Sequence, residues 1–87
     1  MHKNDFRVMY VLDAMDANHP MRAVTIKQLC EQMEKETDAE QSYRTLHSVL
    51  TGLCVAEYVS KGLKESRAET YYITSRGIEK LKELGGA

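Results

Sequence analysis

The chain has 87 residues, 43% of them hydrophobic and 29% charged, with one Pro, no Trp and a formal net charge of −1. That length suits a single domain over residues 1–87 with one modest core, and leaves little volume for an enclosed substrate pocket. No apolar run approaches the ~18–20 residues of a membrane span and no signal-peptide pattern precedes the fold, so a cytoplasmic protein with no membrane partner is expected.

The distribution of charge is more informative than its sum. Residues 1–40 carry five Lys/Arg against eight Asp/Glu, and residues 41–87 carry seven against five. A polyanion would therefore meet the second half of the chain.

Asn4 or Asp5 is suited to cap a first helix running to about Asp16 or Ala17. Its apolar residues cover more than one stripe, which predicts burial on two sides. One side faces the core. The other faces a second copy of the chain, with Phe6, Met9, Tyr10, Leu12 and Met15 as the homodimer surface, or is wrapped by the rest of a small domain. Asn18-His19-Pro20 ends this helix, because Pro lacks a donor and restricts the residue before it. Ala23-Val24 follows as a short extended piece.

Thr25-Ile26-Lys27-Gln28 has the form of a capping box and opens a second helix with Ile26, Leu29, Cys30 and Met33 on one face. Glu34-Lys35-Glu36-Thr37 leads to a second start signal, Asp38-Ala39-Glu40-Gln41. The third helix, about 38–54, is expected to turn Tyr43, Leu46, Val49, Leu50 and Leu53 inward. That leaves Gln41, Ser42, Arg44, Thr45, His47 and Ser48 outward.

Two β-type runs follow, Tyr58-Val59-Ser60-Lys61 and Glu69-Thr70-Tyr71-Tyr72-Ile73. Gly62 through Arg67 between them suits a loop longer than a tight two-residue turn. Thr74 or Ser75 then caps a short last helix with Ile78, Leu81 and Leu84 on one face. A β-ribbon behind helices, carrying the basic residues Lys61, Lys64 and Arg67, is a wing.

Three pieces of this chain resemble the winged helix-turn-helix domains of small transcriptional regulators of the MarR and PadR type. Tyr71-Tyr72-Ile73-Thr74-Ser75-Arg76-Gly77 with Leu81 matches the family's habit at the exit from the wing. Val49, Leu53 and Glu57-Tyr58-Val59 are similar to a recognition helix running into the wing. Thr25 through Met33 looks like the first helix of the helix-turn-helix. Two departures stand out. Glu57 occupies a corner where the family commonly has Gly, and the stretch from Met33 to Leu46 is longer by several residues. Either the second helix is extended or the third begins about a turn early.

The resemblance implies an α+β fold with a three-helix core, a small antiparallel sheet and a short C-terminal helix. It also implies double-stranded DNA as partner, the third helix in the major groove and the wing (about 58–73) on the backbone. In that pose Arg44 offers a bidentate fork to guanine and Gln41 does likewise to adenine, with Ser42, Thr45, His47 and Ser48 near base edges or phosphates. Lys61, Lys64 and Arg67 would hold phosphates, which fixes register without reading sequence. The competing readings are a solvated helix face and a hairpin tip that guards a sheet edge.

Glu31, Glu34, Glu36, Asp38 and Glu40 run against DNA contact and favour the alternative of a winged helix that docks on a protein partner. Asp38 as a cap and Glu40 in the first turn have a local purpose; Glu34 and Glu36 have none. No enzymatic motif is present, so neither catalysis nor a cofactor is expected. Cys30 and Cys54 lack metal-ligand spacing and read as small core hydrophobes, with a redox-responsive regulator as the sharper alternative.

Overall fold

Helix α1 (Lys3–Ala14) is the post around which the other elements pack in the computed structural model, which describes residues 2–37 and 41–85. A single 3-10 turn (Pro20–Arg22) and the two-residue strand β1 (Val24–Thr25) lead into α2 (Ile26–Thr37). Then come α3 (Tyr43–Val55), β2 (Val59–Lys61), β3 (Thr70–Ile73) and α4 (Ser75–Gly85). The strands form one antiparallel sheet in the order β1-β3-β2, with Val24 opposite Tyr71 and Val59 opposite Ile73. This is the expected winged helix.

The core explains why α1 is apolar most of the way round. Val8, Met9, Val11 and Leu12 are fully buried among Leu29 and Met33 of α2, Leu46 and Leu50 of α3, and Val59 and Ile73 of the sheet. Met9 and Leu12 therefore cannot form the dimer surface expected of them. The domain's own helices enclose them, and α1 is left with Phe6, Tyr10 and Met15 nearer the outside.

Local signals set most of the helix ends. Thr25 and Gln28 make the reciprocal capping box: the Gln28 amide donates to Thr25 Oγ1 at 3.2 Å, and the Thr25 amide to Gln28 Oε1 at 2.9 Å. Thr74 caps α4, its Oγ1 accepting from the Gly77 amide at 3.1 Å. Helix α1 starts earlier than expected. Its N-cap is His2, and Asp5 closes the turn from three residues inside by accepting from the His2 amide at 3.2 Å.

α1 and α3 both end in Schellman motifs built without glycine. At the end of α1 the left-handed residue is Asp16, φ 57°, and the Ala17 amide reaches back to the Leu12 carbonyl. At the end of α3 it is Glu57, φ 66°, and the Tyr58 amide reaches back to Leu53. The corner that lacked Gly thus adopts the positive φ regardless.

The added length between Met33 and Leu46 goes into α2, which runs on to Thr37. Helix α3 begins at Tyr43 with Ser42 as its N-cap, so Gln41 and Ser42 precede the helix. The expected roles of Asp38 and Glu40 lie outside the described residues. The wing tip is also tighter than expected. Glu65 and Ala68 pair through both backbone hydrogen bonds around the two-residue turn Ser66-Arg67, with Ser66 at φ 58°.

Two glycines make opposite predictions. A Cβ at Gly77 would strike the Tyr58 carbonyl and come within 2.7 Å of Ile73, whereas one at Gly52, on the outer side of α3, meets nothing within 4 Å. Gly77→Ala should cost about 1–3 kcal/mol by overpacking, and Gly52→Ala should gain ~0.5–1 kcal/mol from better helix propensity. At ~4–8 °C per kcal/mol, thermal unfolding separates the two.

Candidate nucleic-acid interface

The outer face of α3 divides into residues that start the helix and residues that project from it. Ser42 Oγ accepts from the Thr45 amide at 3.1 Å and donates to Thr45 Oγ1 at 2.9 Å, so both hydroxyls serve the cap. Gln41 is half-buried; its Oε1 accepts from Asn4 at 3.2 Å and its carbonyl faces the Cys30 thiol. These three candidates are tied to the local fold. Arg44, His47 and Ser48 are exposed along the helix.

The structure adds two residues to that face. Tyr43, expected inward, is 63% exposed and stacks on His47, with ring centroids 6.4 Å apart and planes 12° from parallel. The apolar period placed it with Leu46 and Leu50, but α3 begins at this residue, so its ring overhangs the core instead of entering it. Thr51 continues the line one turn further on, its hydroxyl donating to the His47 carbonyl at 2.8 Å.

The wing closes one side of this face. A cleft of about 500 Å³ is lined by Thr25, Ile26 and Lys27 at the start of α2, by Tyr43, and by Glu65, Ser66, Ala68 and Glu69 of the wing. The first turn of α3, the first turn of α2 and the wing tip therefore share one concave surface. Ser48 turns partly away from it, into a groove of about 580 Å³ shared with His2, Asp5, Gly52, Tyr58 and Lys80.

Charge on the wing is less positive than a count of its cations suggests. Lys64 pairs with Glu69 at 3.5 Å, both partly exposed, an arrangement worth little energy that nonetheless offsets part of the positive charge there. Lys61 and Arg67 are exposed and have no such partner among the described residues. Glu31, Glu34 and Glu36 are exposed on α2. They fall toward its far end: Glu34 stands roughly 10 Å along the axis from Lys27 at the rise of an α-helix.

A helix-turn-helix whose second helix presents an exposed polar face beside a two-stranded wing, within a three-stranded sheet, defines a winged-helix domain. No family model matches the chain. Its sequence is 26% identical over 84 residues to the DNA-binding protein TubR of a Clostridium botulinum C phage, covering 97% of this chain and 96% of that one. The solution structure of the DNA-binding TubR fragment from Clostridium botulinum superposes with a TM-score of 0.74. F93 from STIV, a winged-helix DNA-binding protein, gives a TM-score of 0.82 at 17% identity, over 99% of this chain and 87% of that one. A PadR-like transcription factor from Bacteroides fragilis gives 0.73 at 20% identity, over 95% and 77%. The last two likenesses concern the fold.

The surroundings of both thiols disfavour the thiolate. Burial pushes the Cys30 thiol up, and the carboxylates of Glu34 and Glu31 push it further. Burial also raises Cys54, against a smaller opposing pull from Lys61. A raised thiol holds less thiolate at a given pH, and the thiolate is the reactive form. Both cysteines should therefore react with a disulfide reagent at neutral pH more slowly than a small free thiol does, and reach that rate once urea unfolds the chain.

Proposed function

We propose that this chain is a sequence-specific DNA-binding transcriptional regulator that works as a homodimer on a partly palindromic duplex site in the cytoplasm. The observation that carries the reading is the shared concave surface. It sets the first turn of α3, through Tyr43, beside the wing tip and Lys27 of α2, while Arg44 on α3 and Lys61 and Arg67 on the wing are exposed near its edges. The likeness over nearly the whole chain to a DNA-binding protein, TubR, supports it. So does the shared fold with a PadR-like transcription factor, and neither likeness points to an enzyme.

In this pose α3 lies in the major groove, and Arg44 presents its fork to a guanine. His47 and Ser48 approach neighbouring base edges. Ser42, Thr45 and Gln41 act at one remove by fixing where the helix starts, and the exposed backbone there lies near a phosphate. Lys61, Arg67 and, after release from Glu69, Lys64 hold the backbone across the wing.

One domain this small makes few base contacts, so a two-fold pair on a two-fold site suits it. The surface for pairing is the outer side of α1 with the end of α4. Phe6 and Tyr10 stack with centroids 6.4 Å apart, and Tyr10 and Leu84 are 48% and 44% exposed. Met15 flanks them.

The carboxylates of α2 support a second reading, a winged helix that docks on a protein partner through this face. Fluorescence anisotropy with random duplex across a salt series separates the two. The DNA reading expects affinity to fall steeply with salt. No binding even at ~50 mM salt would shift the assignment to the protein-partner reading.

On a selected site, Arg44→Ala should weaken binding by ~1–3 kcal/mol and relax preference at one position. Arg67→Ala should weaken all sequences alike and reduce the salt slope by about one, with Lys64→Ala doing less because Glu69 already engages it. Light scattering at high micromolar concentration should return a dimer for the native chain and a monomer for the Tyr10→Glu variant. A native monomer would remove the dimer from the proposal.

A further inference from the structure

Resting on the DNA reading above, we infer that the stacked Tyr43–His47 pair is a specificity element that reads the 5-methyl group of a thymine in the major groove. Tyr43 stands on the first turn of α3, 63% exposed, where an aromatic ring contributes nothing to the core. With His47, one turn along, it forms a nearly parallel plate of two rings, 12° apart with centroids 6.4 Å apart. Arg44 adjoins them, and the three side chains line a shallow depression of about 290 Å³.

The chemistry of the groove narrows what such a plate can recognise. Base edges there carry hydrogen-bond donors and acceptors, and one apolar group, the thymine methyl. The flat of an aromatic ring offers no donor pattern that distinguishes adenine from guanine. It does offer an apolar surface that gains by excluding water from a methyl. The depression is shallow enough for a groove-wall methyl to reach its floor. With Arg44 alongside, the arrangement suits a thymine next to the guanine that Arg44 holds.

A phosphate contact from the Tyr43 hydroxyl is the rival role, and it makes the opposite prediction for the ring without its oxygen. Tyr43→Phe keeps the plate and removes the hydroxyl; Tyr43→Ala removes both. Neither change reaches the core, so both variants should melt with the native chain.

The test starts from the duplex that the full native chain selects out of a random library. Each thymine in turn is replaced by deoxyuridine, which deletes the methyl and leaves the pairing edge intact. At one thymine per half-site the native chain should lose about three- to fivefold in affinity, the worth of one buried methyl group. Tyr43→Phe should show the same loss. Tyr43→Ala should bind the thymine duplex more weakly and no longer distinguish thymine from uracil at that position.

Native binding that is indifferent to uracil at every thymine overturns the inference and leaves DNA binding standing. So does a Tyr43→Ala variant that keeps the full discrimination, or a Tyr43→Phe variant that loses it. Failure of the native chain to bind any duplex overturns both readings together.

Discussion

The close approach of α4 to the carbonyl of Tyr58 is the constraint on which the rest of the arrangement depends. Two segments of chain meet there. The Thr74 amide donates to the Tyr58 carbonyl at 3.0 Å, and the Thr74 hydroxyl donates to the Glu57 carbonyl at 2.7 Å. One turn on, Gly77 lies so near the Tyr58 carbonyl that no side chain fits between them. Arg76 leans back over the Tyr58 ring at 5.7 Å and pairs with Glu57 at 3.7 Å. The end of α3, the start of β2, the exit from β3 and the cap of α4 are thus one joint.

That joint fixes the angle between α3 and the wing, which is the geometry a duplex would sense. The Schellman motif turns the chain out of α3 at Glu57, and two residues later Val59 is paired with Ile73. The amide of Ile73 in turn donates to the carbonyl of Ala17 at 2.7 Å, so the sheet is tied to the end of α1 as well. A non-glycine residue in the left-handed region costs about 1 kcal/mol. The fold accepts this at both Asp16 and Glu57, because each turn completes two backbone hydrogen bonds that would otherwise be left unmade at a helix end.

What was legible in the sequence follows the range of the forces involved. Thr25 with Gln28, and Thr74 ahead of Gly77, act within three residues, and their signals translated directly into structure. The start of α3 is ambiguous in sequence because Asp38 to Gln41 and Ser42 to Thr45 both look like helix starts; the helix begins at Tyr43, with Ser42 as its cap. Tyr43 shares that ambiguity: periodicity places it mid-helix and inward, but it is the first helical residue and overhangs the core. Met9 and Leu12 looked like candidates for an interface because nothing in periodicity says how many neighbours a helix has. The tight turn at Ser66-Arg67 was hidden for a related reason, since neither residue is the glycine or asparagine that usually announces one.

Charge decides what kind of DNA binder such a domain can be. A net charge of −1 gives no long-range attraction to a polyanion, so steering must come from the few cations that approach it. The exposed cations of the proposed interface are local: Arg44, Lys61 and Arg67, with Lys27 on the rim of the cleft. The carboxylates of α2 begin about 6 Å further along the axis at Glu31 and reach about 10 Å at Glu34. At physiological ionic strength the screening length is ~8 Å, so their repulsion is weakened at the cleft but not abolished. Under the proposed reading, affinity then falls to contacts made at short range. In a domain of this charge, discrimination between sequences should therefore be large relative to total affinity, because little of the binding comes from a field that every duplex shares.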